Sequence, residues 1–335
     1  MTETTEPTWP GFWSRLGAFV VDGLILGGVG YAIGAVAFDR LAALGVMGRL
    51  IGLAISTAYF GLLTSKLGGG RSLGHRLLKL RVAMVDGSGA PGLLRALGRA
   101  MLLELPIILN GFFINDASSI WSIVFGFAAV TLVFGVGLAQ IYLLLFGGPD
   151  RRLVHDLVFG TAVTRARGPI PSPRSGMIHR AVASGIVAVV FAACFALPTV
   201  GMNLLPGSLK GSLGALRRPM QAVSALPEVL TAGASDNTTT MFGDHPRTTR
   251  TLVVNARLRS WPAHTDQEIA RIARTVLPTY NFVPGQRLQI VLSYGFELGI
   301  ASGSRSSFDT EDPNHWRPPP ATPPASPGPG PKQAA

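Results

Sequence analysis

The apolar positions of this chain fall in long unbroken runs, not in the periodic stripes of a water-soluble helix or strand. Residues 17–38 hold a single charge, Asp22. As a helix at 1.5 Å per residue, that run crosses the ~30 Å hydrocarbon core of a bilayer. Ala35-Val36-Ala37 imitates a signal-peptide cleavage site. However, the run exceeds the ~7–15 apolar residues of such a peptide, carries a carboxylate and is followed by further runs, so it reads as a retained span. Residues 50–65 form a second run, short but flanked by Arg49 and Lys66, whose long side chains can reach the interfaces. Residues 100–114 form a third, interrupted by Glu104, Pro106 and Asn110; residues 120–146 and 181–202 complete the set.

Between these runs lie basic blocks. Residues 66–99 carry Lys66, Arg71, Arg76, Lys79, Arg81, Arg95 and Arg99. Leu73, Leu77, Leu78 and Leu80 within that block mark a short amphipathic helix lying against anionic headgroups. Val82–Val85 and Asp86-Gly87-Ser88-Gly89 follow as a strand and a turn. A second block runs from Arg151 to Arg180, with 167–180 as a basic linker to the last span. Five spans put every basic block on one side. If 100–114 only dips into the membrane, four spans leave 151–180 outside, against the positive-inside bias. Five spans, N-terminus cytoplasmic and C-terminal region extracytoplasmic, is therefore the expected topology.

Beyond residue 202 the pattern changes. Residues 203–250 are rich in Gly, Ser, Thr and Pro and read as a loose stalk. Leu252, Val254, Ala256 and Leu258 alternate with polar neighbours as a strand. Thr265 and Glu268 have capping-box spacing, and Ile269, Ile272, Ala273 and Val276 share one helical face. Leu288, Ile290 and Leu292 alternate again, so 251–300 is a small β-α-β domain whose core needs the stalk or a partner to complete it. Residues 301–335, ending in a proline-rich stretch, read as a disordered tail, and residues 1–10 as an N-terminal tail. The fold class is thus mainly α: a polytopic membrane bundle of about five helices with a small extracytoplasmic α/β domain.

Composition agrees: 47% hydrophobic residues and only 14% charged ones, against about a quarter charged in a soluble protein. The net charge of +11 could suggest nucleic acid, but it sits in blocks between apolar runs and matches no reader motif. The lone cysteine, Cys194, excludes an internal disulfide or thiolate metal site. Gly69–Arg76 brushes the phosphate-loop pattern without its Lys-Ser/Thr pair, and neither a His-x-x-x-His pair nor a Gly-x-Ser-x-Gly elbow exists. No enzyme chemistry, cofactor or metal is expected.

The chemistry that does stand out is ionic. A carboxylate inside a span costs about 2.5–3.5 kcal/mol on insertion scales, so Asp22 needs a partner or a path. Arg15 lies two turns earlier, ~10 Å away along the axis, which favours a partner on another helix. Glu104 beside Pro106 could line a cavity at a broken helix. His155-Asp156 reads as a helix cap, or as a partner of Arg151 or Arg152, ahead of a proton relay.

Three stretches carry a family resemblance. Gly11-Phe12-Trp13-Ser14-Arg15-Leu16-Gly17-Ala18-Phe19-Val20-Val21-Asp22 places an aromatic, then Arg-Leu, then Asp in the first span. Gly70-Arg71-Ser72-Leu73-Gly74-His75-Arg76-Leu77-Leu78-Lys79-Leu80-Arg81-Val82 forms the second, with His75 where Lys is common. Asp150–Val163 contains His155-Asp156, then Gly160-Thr161, with Phe159 where Ala is commoner. Over residues 10–166 the chain resembles the RDD family of bacterial membrane proteins, whose Arg and two Asp map onto Arg15, Asp22 and Asp156. The resemblance implies a multi-pass protein of the cell membrane and a transport role. Two readings follow: transport of an ion or small solute through a cluster of Arg15, Asp22, Asp156 and Glu104, or a non-transporting scaffold. In the second, the outer domain recruits an envelope partner or a second copy of the chain.

Overall fold

The structure, a computed structural model, describes residues 9–111, 120–167, 176–196, 207–241 and 247–317. Contacts divide it into two units. The first contains residues 1–210 with Arg259–Trp261 and Tyr294–Arg305; the second contains Gly211–Leu258, Pro262–Ser293 and Ser306 onward.

In the first unit, α1 (Phe12–Val36) buries Arg15, Ala18, Asp22, Leu26, Gly30 and Gly34, spaced by three or four residues on one face. Its large apolar side chains, such as Leu24 and Tyr31, point outward. This is the reverse of a soluble helix, and it suits hydrocarbon, where small and polar residues make the helix contacts. After the short α2 (Phe38–Leu44) and a tight turn, α3 (Gly48–Thr64) buries Gly52, Ser56, Phe60 and Thr64. The short helix α4 (Leu73–Leu77) and strand β1 (Leu80–Met84) follow, close to their expected places. Then α5 (Leu93–Leu109) packs on α3. Helices α6 (Ile120–Val130) and α7 (Gly137–Phe146) are one helix joined by a π-helical stretch, Thr131–Val136. Next come α8 (Val154–Phe159), strand β2 (Thr161–Arg165) and α9 (Met177–Ala196). β1 and β2 pair antiparallel, from Leu80 opposite Arg165 to Met84 opposite Thr161.

Among the described residues, four helices are long and apolar enough to cross a membrane: Phe12–Val36, Phe38–Thr64, Val124–Phe146 and Met177–Cys194. The second starts well before the expected residue 50, because the apolar residues around Asp39 and Arg40 continue its helix. The expected span 100–114 falls on α5, which at 17 residues is shorter than those four helices. The ends of that expected span and of 181–202 lie outside the described residues. Also in this unit, Ile300 packs with Leu26 and Phe60, and Phe296 and Leu298 pack with Leu41. Gly52 lets the Leu298 carbonyl approach so closely that any Cβ would collide with it.

The second unit is larger than a β-α-β motif. Helix α10 (Gly207–Ser224) and strand β3 (Val229–Met241) occupy the region expected as a loose stalk. Strand β6 (Ser302–Glu311) and the turn at Pro313–Trp316 occupy part of the expected tail; residues from 318 onward are outside the described set. The sheet order is β3-β4-β5-β6, with β4 (Arg247–Leu258) and β5 (Arg287–Glu297) parallel and joined through α11 (Thr265–Val276). The added elements complete the core that two strands and a helix lacked. Val223 and Val229 join Leu252, Ile272, Ile290 and Trp316 in one buried cluster. α11 begins at Thr265, but no side chain caps it, so the expected Thr265–Glu268 box does not form.

A polar knot ties β3 to the rest. Asp236 accepts from Arg250 Nε and Nη2 at 3.0 and 2.6 Å, from Tyr280 Oη at 2.7 Å and from Gln286 Nε2 at 3.3 Å. Although burial opposes it, the bonds from Arg250 and Tyr280 hold its carboxyl below the ordinary range. A folded pKa below the unfolded value of about 3.9 stabilises the unit above that pH and stops doing so as acid protonates the group. Asp236→Asn should therefore cost about 1 kcal/mol at pH 7, after allowance for solvent screening, and should flatten the acid limb of a stability-against-pH curve below pH 4. Equal acid limbs in both proteins would remove Asp236 from that role.

Candidate functional site

Inside the first unit is a cavity of about 440 Å³. Arg15, Asp22, His75, Arg99, Asn110, Gln140, His155 and Asp156 provide its polar lining. Its remaining walls are apolar, from residues such as Phe19, Leu103, Ile107, Val133 and Ile141.

Asp22 enters from α1 and is buried. Oδ1 accepts from Tyr59 Oη on α3 at 2.6 Å and from the Gly74 amide at 2.7 Å, and Oδ2 accepts from Ser72 Oγ at 2.5 Å. Ser72 is also the N-cap of α4, accepting from the His75 amide at 3.2 Å. The backbone reaches the carboxylate only because residue 74 is glycine. A Cβ there would run into the Ala18 carbonyl and lie 2.9 Å from Asp22 Cγ. Since Ser72 spends its proton on Asp22, the 2.6 Å contact to His75 Nδ1 requires that nitrogen to carry the ring proton. Burial, with Arg99 nearby, pushes the His75 pKa down to about 4, so the ring is neutral near pH 7.

Asp156 comes from α8, fully buried. Oδ1 accepts from Arg99 Nε at 2.9 Å and from Thr161 Oγ1 at 2.8 Å. Burial works to raise its pKa, but the Arg99 charge, with the Arg99 and Thr161 hydrogen bonds, holds the group ionised far below the ordinary range. Its other oxygen, Oδ2, has no hydrogen-bond partner among the described residues. His155, also buried, has its pKa pushed down to about 3 chiefly by burial, and Nδ1 lies 2.7 Å from Gln140 Oε1. The neutral ring therefore donates to Gln140. Arg15 donates to the carbonyls of Arg151, Asp150 and Val163 at 2.6, 2.7 and 3.0 Å, tying α1 to the segment that leads into α8 and to β2.

Arg15, Asp22 and Asp156 thus line one cavity, though no hydrogen bond joins them directly. Glu104 is buried on α5 facing Ser56 of α3 and is not part of that lining. Asp156 pairs with Arg99, not with Arg151 or Arg152 as its neighbours suggested; Arg152 bonds the Thr161 and Asp156 carbonyls instead. Among the described residues, no cluster of three or more His, Cys, Asp or Glu is placed to hold a metal ion. Sequence reasoning missed Arg99, Tyr59 and Gln140. Arg99 looked like one more cation of an interfacial block. Its signal was local: it sits between Ala96 and Ala100 on the small-residue face of α5, all three buried.

Residues 9–160 match the RDD family. No curated protein and no solved structure matches the chain. The family match and the four apolar helices make this a multi-pass membrane protein.

Proposed function

Taking residues 9–160 as an RDD-family membrane domain, we propose that the protein transports an ion or small solute through this cavity. The observation that carries the reading is the buried Arg99–Asp156 pair lining a hollow inside a membrane bundle. Buried ions are costly in such a setting and mark binding sites and paths more often than packing. Two irregularities shape the hollow. Pro106 interrupts the hydrogen bonding of α5, and the π-helical stretch opposite ends at Gly137, which lines the same space. The β1–β2 pairing holds residues 80–84 and 161–165 on one side, which supports α5 as a fifth crossing; with the basic blocks it supports an orientation with the N-terminus cytoplasmic and the sheet-containing unit extracytoplasmic. No catalytic step belongs to this reading.

Proteoliposomes under imposed proton, sodium, potassium and organic-anion gradients test it. Gly137→Leu is the useful variant. A Cβ at Gly137 meets only Pro106 Cβ at 3.8 Å, so the helix accepts the substitution while the side chain fills the hollow. Flux at least tenfold below the natural protein, at normal abundance, is the expected result. No flux from the natural protein under any gradient would favour a scaffold. That second reading has its own support: every Asp22 oxygen is occupied by protein donors, and β3 is an edge strand with exposed residues up to Met241 that could pair with an envelope partner or a second copy.

A further inference from the structure

We infer that the cavity is a binding site for an anionic amphiphile: a carboxylate or phosphate head on an apolar chain, the head on Arg99 and Gln140. This deepens the transport reading and rests on the same cavity, but it concerns binding. The polar groups of the cavity are unequal in what they leave over. Arg15 spends its terminal nitrogens on three carbonyls, and the Asp22 oxygens are taken by Tyr59, Ser72 and Gly74. Asp156 Oδ1 is taken by Arg99 and Thr161, and Oδ2 is sealed from solvent.

Arg99 is different. Its side chain is only 4% exposed, and Nε holds Asp156. Its two terminal nitrogens make no hydrogen bond to the described residues and are not among the buried, solvent-sealed atoms. Arg99 is one of the residues that line the cavity. Gln140, with its carbonyl on His155, leaves its amide N–H groups as a second donor lining the same space. A guanidinium edge beside an amide suits a planar or tetrahedral oxyanion, which takes two parallel N–H bonds. A simple inorganic anion would leave the rest of the space empty, because Leu103, Pro106, Ile107, Val133 and Ile141 offer it nothing. At about 440 Å³ the hollow has the size of a small-ligand site and is too small for both chains of a phospholipid. One chain with an anionic head satisfies the donors and the walls together.

The test is binding to the purified full chain in nonionic detergent, using dodecanoate, dodecyl phosphate, dodecyltrimethylammonium and inorganic phosphate as probes. The expected result is saturable binding of the first two, at least tenfold tighter than the cation, with no binding of inorganic phosphate. Gly137→Leu and Arg99→Gln should each weaken dodecanoate at least tenfold. Because Arg99→Gln also disturbs Asp156, the cavity-filling variant keeps the test valid if Arg99→Gln fails to fold. Nanodiscs with and without phosphatidylglycerol separate the sources: competition by that lipid would make a membrane lipid the occupant. Equal affinity for the cationic probe, or dodecanoate binding untouched by Gly137→Leu, would overturn the inference. Binding without flux would sink the transport reading only, and inorganic-cation flux without dodecanoate binding would sink this inference only.

Discussion

Arg99→Met should destabilise the membrane unit by about 3–5 kcal/mol, the usual cost of leaving one member of a buried ion pair unpartnered. Asp156 would then keep only Thr161 as a side-chain donor, while the environment that already opposes its charge stays unchanged. Asp156→Leu should be similarly damaging, since it strands the Arg99 guanidinium. The double variant, Arg99→Met with Asp156→Leu, removes both charges and both desolvation costs, and should recover most of the loss. Thermal unfolding of the four proteins in one detergent measures the coupling. Additive losses in the double variant would show that the two residues act independently, against the 2.9 Å contact between them. Recovered stability combined with lost flux or lost amphiphile binding would show that the pair serves function at a cost in stability.

What could be read from the sequence divides along physical lines. Membrane runs announce themselves because hydrocarbon demands about twenty apolar residues in succession, so α1, the α6–α7 helix and α9 were visible from composition. α5 was harder. It is 17 residues long with Arg95, Arg99 and Glu104 on it, and although Arg95 is exposed, Arg99 and Glu104 are buried against protein, which no linear pattern reveals. The same blindness hid the site. Asp22 could be singled out because a lone carboxylate in a span is costly, yet its partners Tyr59, Ser72 and Gly74 lie 37 to 52 positions away. In the second unit, strand alternation located β4 and β5. β3 and β6 were read as stalk and tail because their Thr, Ser and Gly residues are half exposed at the sheet edges, where one buried face is not required. The capping box failed for a similar reason: spacing permits that bond but does not compel it.

Gly74→Ala should abolish accumulation of the folded protein, although it adds one methyl group. The backbone there is ordinary helix, so strain is not the cause; the space is. The new Cβ would collide with the Ala18 carbonyl in the middle of a packed helix, which cannot yield without unpacking α1 from α4. Moving α4 away would also strip Asp22 of the Gly74 amide and the Ser72 hydroxyl at once. Gly92→Ala is the control, since a Cβ at Gly92 meets nothing within 4 Å. The same contacts make Asp22 a discriminating probe. Asp22→Leu leaves three donors without an acceptor, at about 1–3 kcal/mol for each buried group, and should fail to accumulate much as Gly74→Ala does. Asp22→Asn keeps Oδ1 for Tyr59 and Gly74, and Ser72 can turn its proton to His75 while accepting from the new amide. It should therefore insert and accumulate near normally. Flux then separates two roles for the carboxylate. If Asp22 only clamps the Ser72–Gly74 turn, Asp22→Asn transports at close to the natural rate. If its charge takes part in moving the solute, that variant is abundant but inactive, and Asp22→Glu recovers part of the rate.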